Sequence, residues 1–129
     1  MPRKKSPTLT EAELRLMKIL WEKGRATVND VVKVLPPDQP LAYKTVLTVL
    51  RILEQKGYLK HTKQSRAFVY YPVVERDEAR SRAIKDIVSR FFDDEPELLV
   101  LKILEDEQIN LSELSQLKQM IQERKSEVS

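Results

Sequence analysis

Lys44, Leu47, Thr48, Arg51 and Gln55 recur at the three- and four-residue spacing that gathers side chains on one face of a helix. The stripe holds two cations, a hydroxyl and an amide, and no acid. Its chemistry suits a nucleic acid. Lys and Arg can reach guanine O6 and N7 or clamp phosphates, and Thr and Leu can meet a base edge or a thymine methyl. Tyr43 and Thr45 stand at the start of the same helix, where free backbone N–H groups favour a phosphate. A second basic cluster, Lys60, Lys63 and Arg66, lies around a short polar segment between two β-branched and aromatic runs. That is the pattern of a hairpin whose tip meets phosphates or a minor groove. Arg3, Lys4 and Lys5 add cations near the N-terminus, as phosphate contacts or as solubilising residues.

Other chemistries lack their residues. The single histidine, His61, has no Ser and Asp partners at a spacing that builds a triad. Glycine occurs only at 24 and 57, which excludes a glycine-rich phosphate loop. There is no cysteine, so no disulfide, thiolate metal site or cysteine nucleophile. Asp93-Asp94-Glu95 reads as acids at a helix N-terminus rather than a metal site. The expectation is a non-enzyme without cofactor or metal.

Charge is divided unevenly. Residues 1–75 carry 14 Lys and Arg against 7 Asp and Glu, a net +7, and residues 76–129 carry 9 against 13, a net −4, which together give the +3 of the chain. A basic half joined to an acidic half points the first towards a polyanion. No apolar run approaches the ~20 residues that span a bilayer, and no signal-peptide core is present, so a soluble, cytoplasmic protein without membrane contact is expected.

The elements that must position these residues can be read in order. Residues 1–8 form a basic, proline-punctuated arm. Thr10 and Glu13 make a capping box, Leu9 and Leu14 a hydrophobic staple, and Gly24 a C-terminal cap for a first helix expected to be buried over most of its circumference. Thr27 opens a short second helix that Pro36-Pro37 stops. A third runs from about Ala42 to Lys56, with Val46, Val49, Leu50 and Leu53 on its core face and Gly57 as cap. The hairpin follows, with residues 63–66 as its tip. Three helices and a hairpin make a winged helix-turn-helix, expected over residues 9–73.

Residues 74–129 read as a helical dimerisation domain, giving a mainly α fold with a small β-hairpin wing. Ile84, Ile87, Val88 and Phe91 line one side of a charged helix over 76–92. The segment 97–104 is apolar almost all round, with Leu98, Leu99, Leu101, Ile103 and Leu104 as its anchors, and a last helix from Ser112 shows Leu114, Leu117 and Ile121 on one face. Three helices in 54 residues are marginal alone, and an identical chain is the simplest cover. A competing expectation is a protein-interaction adaptor that docks through Leu47 and Ile52 on the third helix.

Three stretches resemble the penicillinase repressor family, which includes β-lactamase and methicillin-resistance repressors. These are Leu9-Thr10-Glu11-Ala12-Glu13 with Met17-Lys18-Ile19-Leu20-Trp21, Ala42-Tyr43-Lys44-Thr45-Val46 continued through Lys56-Gly57-Tyr58, and Arg66-Ala67-Phe68-Val69-Tyr70. Leu98-Leu99-Val100-Leu101 and the Leu111-Ser112 helix resemble its dimerisation region, so the likeness covers roughly residues 9–123. The resemblance implies a homodimeric repressor on a palindromic double-stranded DNA operator, released when a signal arrives. In the antibiotic-resistance members a membrane receptor protease leads to cleavage of an Asn–Phe bond. The corresponding pair here is Lys102-Ile103, a departure from that pattern, so the resemblance does not carry over the same protease specificity, although a receptor or cytoplasmic protease is an expected partner class. A copper-sensing branch uses C-terminal cysteines, which this chain lacks.

Overall fold

The computed structural model describes residues 8–128. Arg3, Lys4 and Lys5, and with them the arm up to residue 7, lie outside the described residues.

Helix α1 (Glu11–Lys23) begins on the expected capping box. The Glu13 N–H donates to Thr10 Oγ1 at 3.2 Å and the Thr10 N–H donates to Glu13 Oε1 at 2.9 Å. Such a cap is worth about 1 kcal/mol. Gly24 ends the helix at φ +84°, its N–H donating to Leu20 O at 2.7 Å. Leu16, Met17 and Leu20 are fully buried. Burial covers less of the circumference than expected, because Ala12 is exposed while Leu14, Ile19 and Trp21 are half-buried. The polar Glu13 is buried instead, its Oε1 accepting from the Thr10 N–H and the Lys56 ammonium.

Helix α2 (Val28–Val34) starts on a second capping box, between Thr27 and Asp30. It stops at Leu35, before the proline pair. The Arg15 guanidinium donates to the Gln39 carbonyl and ties the following loop to α1.

Helix α3 (Tyr43–Gln55) packs Val46, Leu50 and Leu53 into the core with no exposed surface, while Val49 is only half-buried. It closes with a Schellman motif. The Tyr58 N–H donates to Leu53 O at 2.9 Å, the Gly57 N–H donates to Glu54 O at 3.0 Å, and Gly57 takes φ +88°. Tyr58 and Leu53 are both fully buried, which supplies the apolar contact that accompanies the motif.

Strands β1 (Leu59–Gln64) and β2 (Ala67–Pro72) form an antiparallel hairpin with Gln64 opposite Ala67. Only Ser65 and Arg66 remain in the turn, so the tip is tighter than the four residues expected, and Lys63 sits in β1 opposite Phe68. Ser65 holds φ +54°. Ala26, between α1 and α2, exchanges two backbone hydrogen bonds of 2.9 and 2.8 Å with Tyr70. This bridge locks the hairpin to the helices.

Helix α4 (Arg76–Phe91) spans the division between two compact units, which falls between Asp86 and Ile87. The sequence suggested a break after residue 73. The first unit extends further because Val74 and Ala79 are buried in its core, the Trp21 indole N–H donates to Val74 O at 2.9 Å, and the Arg82 guanidinium covers the Tyr58 ring at 5.1 Å.

The second unit holds the end of α4, then α5 (Pro96–Asp106) and α6 (Leu111–Val128). Helix α5 is longer than the apolar run 97–104, since Pro96 fits the first helical turn. Helix α6 starts one residue before Ser112, capped by Asn110, whose Oδ1 accepts the Glu113 N–H at 2.8 Å. The turn after α4 sets Asp93 and Asp94 at φ +51° and +61° and brings the Phe92 and Asp94 N–H groups onto Val88 O.

Candidate nucleic-acid interface

Burying Val46, Leu50 and Leu53 turns the opposite face of α3 outward. Lys44, Thr48 and Arg51 are exposed on it, and Tyr43 and Thr45 are exposed at the start of the helix. Leu47 is not: it is half-buried and packs against the core, so its role on the stripe is at most a partial apolar contact. Ile52 is half-buried too, and the apolar surface that motivated an adaptor reading is largely spent inside the fold. The Thr48 hydroxyl donates to Lys44 O at 2.9 Å. Its proton is committed to the helix, leaving the lone pairs and the methyl group for a ligand.

Two cross-links that the sequence does not announce join α3 to the hairpin. His61 Nδ1 lies 2.6 Å from Glu54 Oε1, and its ring packs beside Phe68 and Tyr70, with centroids 4.8 and 5.4 Å away. The lone histidine is thus a brace between wing and helix, and Glu54, the acid of α3, faces the hairpin. The second link is Tyr70, which is buried. Burial raises its phenol above the ordinary range, the Glu54 carboxylate adds to the rise, and the charge and hydrogen bond of Arg51 oppose it. Arg51 thus lies within electrostatic reach of the Tyr70 phenol.

Lys60, Lys63 and Arg66 are exposed on the hairpin. Strand alternation puts Lys60 and Lys63 on opposite faces, so they cannot form one patch. Among the described residues none of Lys44, Lys60, Lys63 and Arg66 belongs to an ion pair. Their charge is available to an outside anion. The described residues contain no cluster of His, Cys, Asp and Glu fit to hold a metal, and no helix long and apolar enough to cross a membrane.

The residues expected to dimerise lie in a different state. Ile84, Ile87, Phe91, Leu98, Leu101, Ile103, Leu117 and Ile121 are exposed, while Leu99, Leu104 and Leu114 are half-buried. Val88 is buried within its own chain, and its carbonyl accepts the Phe92 and Asp94 N–H groups. Val100, Leu111 and Met120 are exposed apolar residues that the helical spacing did not single out. Lys102 and Ile103 sit within α5, with Lys102 Nζ 3.3 Å from Asp106 Oδ1.

Three helices, a hairpin wing and a solvent-facing cationic third helix define a winged helix-turn-helix regulator. More narrowly, the chain belongs to the penicillinase repressor family, whose pattern it matches over residues 9–123. It is 32% identical to the penicillinase repressor of Bacillus licheniformis over 123 residues, covering 95% of this chain and 96% of that protein. It is 24% identical to the methicillin resistance regulatory protein MecI of Staphylococcus aureus (strain N315) over 120 residues, covering 93% of this chain and 98% of that protein. Among solved structures it resembles the DNA binding domain of the repressor BlaI, with a TM-score of 0.51 and 37% identity over 59% of this chain and 93% of that one.

Proposed function

We propose that this protein represses transcription by binding an inverted-repeat DNA operator as a homodimer. The observation that carries the reading is the outward face of α3, where Lys44, Thr48 and Arg51 stand exposed beside the hairpin cations. In a helix-turn-helix the second helix of the pair enters the major groove, and here that helix is α3. The solved BlaI domain is named for DNA binding, and the relatives are named as repressors or resistance regulators, which supports the same reading.

Dimerisation is supported by what the second unit leaves uncovered. From Ile87 onward Val88 is the one buried residue among those whose burial is described, and α5 has none. An apolar helix exposed in this way needs protein against it. A second copy supplies it and presents two α3 helices to two half-sites about one helical turn apart, or a multiple of that.

Release follows from the same arrangement. A signal that cuts or distorts α5 around Lys102-Ile103 removes the dimer contact, and each monomer then holds one half-site. A receptor-linked or cytoplasmic protease is one such signal. The site of action is the bacterial cytoplasm, where the operator lies.

Selecting bound fragments from the host genome and titrating them by mobility shift tests the reading. A palindromic site bound in the nanomolar range, weakening steeply as salt rises, is expected, because each neutralised phosphate releases counterions. Equal affinity for random DNA at every salt concentration overturns it.

A further inference from the structure

A groove of about 570 Å³ runs along α1 and the first half of α4, entirely within the first unit. None of its lining residues belongs to the α3 stripe or the hairpin, so the DNA reading does not use it. The volume lies in the range of small-molecule sites.

The floor is apolar and preformed. Leu9 and Leu14 close one end, where the chain enters α1. Ala79 and Ala83, one turn apart on α4, line the other wall, and their short side chains leave the space open. Trp21 is fixed between them: its indole N–H is held by Val74 O at 2.9 Å, and the Arg76 guanidinium lies over its ring at 5.6 Å.

The rim is cationic. Lys18, Arg76 and Arg80 face a single acid, Glu22. Among the described residues neither Lys18 nor Arg80 belongs to an ion pair. An apolar floor under unneutralised cations matches a molecule with an apolar body and one anionic head. Arginine's fork suits a carboxylate in two parallel hydrogen bonds. The chain's own N-terminal segment is a poor occupant on charge, since Arg3, Lys4 and Lys5 repeat the sign of the rim.

We propose that the α1–α4 groove binds a small amphipathic carboxylate, with Lys18 and Arg80 taking the head and Trp21, Leu14 and Ala83 the body. The proposal needs neither DNA nor a dimer, so it stands or falls apart from the repressor reading.

Trp21 is the only tryptophan in the chain, so its emission reports this groove alone. The test is a titration of the full-length protein with octanoate, using 1-octanol as the neutral counterpart. A saturable change in Trp emission with octanoate is expected, with affinity at least tenfold weaker for octanol and for the K18Q/R80Q variant, and lost in Ala83→Leu, which fills the groove. Circular dichroism checks folding; should Ala83→Leu unfold, the surface variant K18Q/R80Q still decides. A non-saturating response, or equal octanoate affinity in wild type and K18Q/R80Q, overturns the proposal. So does Trp emission that shifts with protein concentration in parallel with sedimentation, because a second copy then covers the groove.

Discussion

Lys56 Nζ lies 2.7 Å from Glu13 Oε1, with both side chains more than nine-tenths buried. The contact joins the end of α3 to the first turn of α1, and the same ammonium donates to Thr8 O at 3.1 Å. Helix α3 is thereby fastened at its C-terminal end.

Removing one partner strands a buried charge, which typically costs about 3–5 kcal/mol. Glu13→Ala should lose about that much stability in urea denaturation. The double variant E13L/K56M should lose far less, because an apolar pair leaves no charge unpaired. Similar losses in both variants would mean that the fold depends on the capping role of Glu13 and not on the ion pair.

The same carboxylate gives a pH dependence. Burial pushes the Glu13 pKa up, but hydrogen bonds from Lys56 and Thr10 and the charge of Lys56 outweigh it and hold the group below its ordinary 4.5. A folded-state pKa below the unfolded one means stability that is fully present above pH 4.5 and lost as pH falls through the lowered value. Thermal melts from pH 6 down to about pH 3 should show this decline, and Glu13→Gln should flatten it.

Gly57 adopts φ +88°, and a Cβ there would meet nothing within 4 Å. Gly57→Ala therefore isolates the backbone cost of a left-handed residue, about 1–2 kcal/mol. Denaturant midpoints of the two proteins measure it. A neutral substitution would show that the Schellman turn relaxes.

Arg51 is exposed on α3, with the Tyr70 phenol within electrostatic reach. Arg51→Ala should weaken operator binding by about 1–3 kcal/mol while leaving random-sequence affinity nearly unchanged if Arg51 reads a base. Equal losses on both DNAs would make it a phosphate contact. K63Q should instead lower affinity on every sequence and reduce the salt slope by about one.

Leu101 and Ile103 are exposed on α5 and are proposed to meet a second copy. Leu101→Asp should shift sedimentation from dimer to monomer and reduce operator affinity, because two linked half-site contacts become one. A dimer that survives both Leu101→Asp and Ile103→Asp would place the interface elsewhere.

What the sequence by itself determined is local. The two capping boxes, the glycine stops after α1 and α3 and the Val46, Leu50, Leu53 periodicity are interactions within a few residues. They fix the helices, and with them the face on which Lys44, Thr48 and Arg51 must stand. The family resemblance was legible for the same reason, since it rests on contiguous residues in order. Tertiary structure decided whatever joins distant residues. It buried Glu13 against Lys56, paired His61 with Glu54, brought Tyr70 within electrostatic reach of Arg51, bridged Ala26 to β2 and carried the first core on to Ala79. No periodicity announces these contacts, because a side chain's environment depends on which surfaces meet across the fold. Leu47 and Val88 show the limit most clearly: helical spacing assigned their faces, and packing within the chain covered them.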